Sequence, residues 1–193
     1  GLLYDHDAGL ALGTCDEKAN APTHHDPDSA SLHEIDGILV NVDRTIGRMG
    51  CCRDGSCRSS GSILSRARGC LKQLAKAWLY EASELEDPEV FTSIAARYTR
   101  VSGGCECIQK ASDDDQSEAA TTIVQLSTDV SNKLCRYADL LVSVADAQDE
   151  LDAAKAELDA GDDSERVRAA EQLRELREEE KDRAYAAALD AAI

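Results

Sequence analysis

The chain is poor in aromatic residues, with one Trp, one Phe and five Tyr among 193 residues. A sheet sandwich without bulky rings has little to fill its core, whereas Ala, Leu, Val and Ile suit the narrow seams between helices. Three prolines and 12 glycines are too few to turn the many short strands of an all-β protein. No apolar run approaches the roughly 18 residues that a membrane span requires. The opening "GLLYDHDAGLALG" lacks the basic and apolar regions of an intact signal peptide. Asn20, Asn41 and Asn132 are not followed by the residues that N-glycosylation needs. A nucleophile elbow, a phosphate-binding loop and a dinucleotide fingerprint are likewise missing. The expectation is a protein that is no enzyme and takes no cofactor.

Positive charge is also in short supply. Acidic residues number 38 against 21 basic, a net charge of −17. Such a surface repels nucleic-acid phosphates and anionic lipid headgroups, so neither is an expected partner.

What is present is helical periodicity. Residues 1–28 show no sustained period and read as an irregular N-terminal arm. Ser31 and Glu34 then form a capping box. Leu32, Ile35, Leu39, Val42, Ile46 and Met49 follow at alternating spacings of three and four, a seam for lengthwise packing. Residues 50–61 break this pattern with Gly and Ser. A second helix is expected from about Ser62 to Leu85, with Leu64, Ala67, Leu71, Leu74 and Trp78 on one stripe. Asp87-Pro88-Glu89 starts a third, with Val90, Ile94, Tyr98 and Val101 inward, which Gly103-Gly104 is expected to end. Residues 102–112 then read as a loop.

Between about 113 and 160 there is neither Gly nor Pro. Ile123, Leu126, Val130, Tyr137, Leu140, Val144, Ala147, Leu151, Ala154 and Leu158 hold one heptad register, with Lys133 the single polar exception. Gly161-Asp162-Asp163-Ser164 predicts a tight reversal into a last helix over 163–193, with Val167, Ala169, Leu173 and Leu176 inward. The whole chain, 1–193, therefore reads as one all-α domain: an elongated antiparallel bundle built on a long helical hairpin. The closing "RAYAAALDAAI" carries no stop signal, so the natural chain is expected to continue into a linker or anchor.

Eight cysteines, Cys15, Cys51, Cys52, Cys57, Cys70, Cys105, Cys107 and Cys135, all precede residue 136. No Cys-x-x-Cys knuckle occurs, and His6, His24, His25 and His33 lie elsewhere, so a zinc module or a dithiol redox centre is not expected. His24-His25-Asp26 has no third spaced ligand, and the Asp113–Asp115 and Glu178–Glu180 runs read as a helix start and a solvated face. The even count reads as disulfides made in an oxidising compartment, stitching the loops at 50–61 and 102–112 into one head. Adjacent cysteines such as Cys51 and Cys52 rarely bridge one another, and the pairing itself stays open.

From Arg44 to Lys76 there are eight basic residues and one acid. Arg53, Arg58, Arg66, Arg68 and Lys72 form a candidate anion or ligand patch beside that head. The plainer alternative is pairing with acidic helices of the same bundle.

An exported, disulfide-headed, alanine-rich acidic rod with the hairpin sequence "DELDAAKAELDAGDDSERVRAAEQLRELREEE" resembles the helical surface glycoproteins of African trypanosomes. The nearest likeness is to the glutamic acid/alanine-rich protein of the insect-stage coat. More distant are the variant surface glycoproteins and the haptoglobin–haemoglobin receptor. The resemblance implies a cell-surface coat protein packed among its neighbours, with a glycosylphosphatidylinositol anchor beyond residue 193. The alternative is a surface receptor that holds a host protein or glycan at the loops 50–61 and 102–112.

Overall fold

The computed structural model describes residues 29–50, 61–111, 114–159 and 164–193. The N-terminal arm, most of the 50–61 segment and the reversal at Gly161 lie outside the described residues. Within them the chain is all-α, with five helices and no strand. These are α1 (Ser29–Gly50), α2 (Gly61–Glu81), α3 (Pro88–Ala111), α4 (Asp114–Asp159) and α5 (Ser164–Ala191).

The start of α3 follows the expected capping chemistry. The Asp87 carboxylate accepts a hydrogen bond from the Glu89 backbone N–H at 3.0 Å, and Pro88 occupies the first helical position, where its missing N–H costs nothing. The end of α3 does not follow expectation. Gly103-Gly104 does not terminate it, and the helix continues through residues 102–111, so the segment read as a loop is helical. Packing explains Gly104. A Cβ there would lie 3.3 Å from the Ile46 side chain and 3.9 Å from the Gly47 Cα. Here α1 and α3 come close together, and tertiary contact outweighs the roughly 1 kcal/mol helix penalty of a glycine.

Four helices make the body. α1 packs against α2 and α3, and α4 packs against the other sides of α2 and α3. α2 and α3 are therefore diagonal, and Tyr98 spans the diagonal by donating its hydroxyl to the Leu71 carbonyl. The pairs Thr99–Ser131 and Ser102–Thr128 set α3 antiparallel to α4. The pairs Asp36–Arg97 and Ile46–Gly104 set α1 parallel to α3. The predicted stripes of α1, from Leu32 to Ile46, and of α2 are buried, including Leu39, Leu64 and Leu71 at 0% exposure. The core extends over α1 to α4 and the last turns of α5.

The 46 residues of α4 run about 69 Å, well past the start of α3. From about residue 143 its remaining neighbour is α5, antiparallel to it by Arg136–Glu180 and Arg166–Glu157. This two-helix arm has a narrow seam. Ala147, Leu151 and Ala154 are buried on α4, but Ala169 and Leu176, expected inward on α5, are exposed, Leu176 by 55%. Among the described residues no third helix covers that side. The last turns of α5 rejoin the body through buried Ala184, Ala188 and Ala192. Tyr137 of α4 marks the junction, edge-on to Phe91 of α3 at 4.8 Å and to Tyr185 of α5 at 5.5 Å. The Tyr185 hydroxyl donates to the Leu79 carbonyl of α2 at 2.9 Å. Four helices thus meet at the base of the arm.

Candidate functional site

The cysteine expectation meets the described residues at three side chains. Cys70 is disulfide-bonded and buried on α2. Cys105 and Cys135 carry free thiols, which departs from the expectation that all eight sulfurs are paired. Cys105 sits in helix rather than loop, at 0% exposure on the stripe of Val101 and Ile108, where it packs as a small apolar side chain. Burial pushes its pKa up to about 12, so it stays a neutral thiol at ordinary pH. Cys135 lies on the exposed face of α4. Cys15, Cys51, Cys52 and Cys57 lie outside the described residues, as does the side chain of Cys107.

The basic patch is only partly assembled. Arg53 and Arg58 lie outside the described residues. Arg66 and Arg68 are exposed on α2, and no ion pair joins either to the described residues. Lys72 has another task, donating to the Ile193 carbonyl at 3.1 Å and tying the end of α5 to α2. His24, His25 and Asp26 are also outside the described residues, and no metal-holding group of His, Cys, Asp and Glu occurs among those described.

A site that the sequence reading missed lies in a surface groove of about 530 Å³ between α1 and α3. Leu32, Trp78 and Val90 give it an apolar wall. His33, Asp36, Arg97 and Arg100 supply its polar groups. Asp36 and Arg97 form a two-point pair, Nε to Oδ1 at 2.9 Å and a terminal guanidinium nitrogen to Oδ2 at 3.3 Å. Such planar fork-to-fork contact fixes both side chains at the rim. Arg100 makes no ion pair within the described residues, although with Arg97 and Arg44 it opposes the upward pKa shift that burial gives Asp43. The indole N–H of Trp78, a residue only 5% exposed, has no acceptor. Sequence gave little signal for this groove. Trp78 reads as one more core residue, and Asp36 and Arg97 are 61 positions apart.

Comparison with protein-family models, with curated proteins and with solved structures gave no match.

Proposed function

We propose that this chain is a structural cell-surface protein, a coat molecule standing on the outer face of a parasite's plasma membrane among copies of itself. The observation that carries the reading is the unequal length of the helices: α4 outruns α1, α2 and α3 and continues beside α5 alone. A slender two-helix extension adds reach with little mass, which suits a molecule built to stand off a surface. The net charge of −17 lets such molecules crowd without sticking. The Cys70 disulfide suits an oxidising exterior. The trypanosome resemblance adds a lipid anchor after residue 193. The course of α5, antiparallel to α2 through Leu79–Tyr185 and Lys72–Ile193, runs toward the end of the body that holds Cys105. An anchor following it would put that end nearest the membrane and the arm outermost.

Quantitative surface labelling of intact cells tests this. The copy number multiplied by the cross-section of the bundle should approach the area of the cell. Sparse copies, together with capture of one defined host protein by the purified chain, would replace the coat with a receptor. Absence of surface labelling would remove both readings.

A further inference from the structure

We infer that the groove between α1 and α3 binds a small organic monocarboxylate with an apolar body, its carboxylate held by Arg100. This site is independent of the coat reading. Three observations carry it. The groove's volume of about 530 Å³ falls within the roughly 300–1,000 Å³ typical of small-molecule sites. Its wall of Leu32, Trp78 and Val90 offers apolar and aromatic surface to a hydrocarbon or ring.

Charge supplies the third observation and sets the ligand class. Two guanidinium groups line the groove, but Asp36 already engages Arg97 at two points. Arg100 remains, exposed on the lining and in no ion pair among the described residues, with Asp43 the acid that attracts it from outside that lining. A guanidinium fork matches a carboxylate in plane and spacing. The Asp36 carboxylate on the same lining repels a second negative charge, so a phosphate dianion fits less well than a monoanion. A neutral amide of the same shape gains the apolar wall but not the charge-assisted hydrogen bonds.

The full chain contains a single tryptophan, so its emission reports on this groove directly. Octanoate, octanamide and octyl phosphate serve as probes. Octanoate should change Trp78 emission saturably, with a midpoint about tenfold or more below those of octanamide and octyl phosphate, the size expected of one charge-assisted contact. Arg100→Gln should abolish the preference of octanoate over octanamide, and Arg68→Gln, also on the surface, should leave it intact. Ala96→Phe, at an exposed lining position, should block all three probes while helical circular dichroism stays unchanged. The inference is overturned by an unsaturable response to octanoate or by octanamide or octyl phosphate binding as well as octanoate. Persistence of the octanoate preference in Arg100→Gln, or its loss in Arg68→Gln, would also overturn it.

Discussion

The two halves of α4 belong to one continuous helix, yet they meet different surroundings. Before residue 142 the helix is enclosed on two adjacent stripes. Ile123, Val130, Tyr137 and Leu140 form one, and Ser127, Ser131, Leu134, Ala138 and Leu141 form the other. After it, among the described residues, only Ala147, Leu151 and Ala154 are buried, and Val142 is already 45% exposed. The width of a helix's buried arc therefore counts its neighbours: two seams where three helices surround it, one where a single helix does. Of the chain's few aromatic rings, Phe91, Tyr137 and Tyr185 gather where one regime changes to the other. Large flat side chains cover area that no further helix among the described residues covers.

The most disruptive test of this comparison removes the ring at the boundary. Tyr137→Ala should cost about 3–5 kcal/mol, the range for truncating a buried aromatic. It should also let amide exchange in the arm proceed independently of the body, since Phe91 and Tyr185 lose their common contact. Unchanged exchange in the arm would mean that Tyr137 does not couple the two halves. Next in size is a matched pair of leucines, Leu134 in the body and Leu151 in the arm, exposed by 1% and 3%. Leu134→Ala should cost about 3–4 kcal/mol, because enclosure by three packed helices resists collapse. Leu151→Ala should cost about 2 kcal/mol, because two helices alone can close on the gap. Equal losses in chemical denaturation would show that the arm is as confined as the body.

The same contrast explains what the sequence made legible. The first seam of α4 was plain because its positions are nearly all apolar, and it runs through body and arm alike. The second was obscured by Ser127 and Ser131, polar residues at buried positions. Ser131 meets the Thr99 hydroxyl at 2.9 Å and also donates to the Ala95 carbonyl at 3.0 Å, so its burial is satisfied by tertiary partners that no local pattern announces. The arm was overread for the opposite reason. Leu176 fits a helical period, but periodicity states which face is apolar and not whether a helix lies against it. The groove was illegible because its parts come from three helices. Cys105 was misassigned through Gly103-Gly104, where a close helix approach looks the same in sequence as a helix end.

That glycine pair gives a smaller and sharper test, within the body alone, since neither α4 nor α5 contains a glycine. A Cβ on Gly103 meets nothing within 4 Å. Gly103→Ala should therefore stabilise the chain by about 1 kcal/mol through helix propensity. Gly104→Ala gains the same propensity but presses on Ile46 at 3.3 Å, so its net effect should fall well short of that. Gly104→Val should destabilise by about 1–3 kcal/mol through overpacking. Thermal melts of the three variants suffice, and equal stabilisation by both alanines would remove the close approach as the reason for Gly104.

The smallest expected effect is one of pH, and it arises beside the groove. Burial raises the pKa of Asp43 above its ordinary 3.8, against the opposing pull of Arg100, Arg97 and Arg44. The folded chain thus holds this proton more tightly than the unfolded one. The stability linked to it is fully present below the ordinary aspartate value and is lost as pH rises through the raised one. At neutral pH the ionised carboxylate is a modest burden on the body. Asp43→Asn should raise the melting temperature slightly at pH 7, and the gain should vanish near pH 3, where wild-type Asp43 is itself protonated. Asp36→Asn should do the reverse at pH 7, because it breaks the two-point contact with Arg97. A loss of stability in Asp43→Asn at pH 7 would show that attraction to the three arginines outweighs burial.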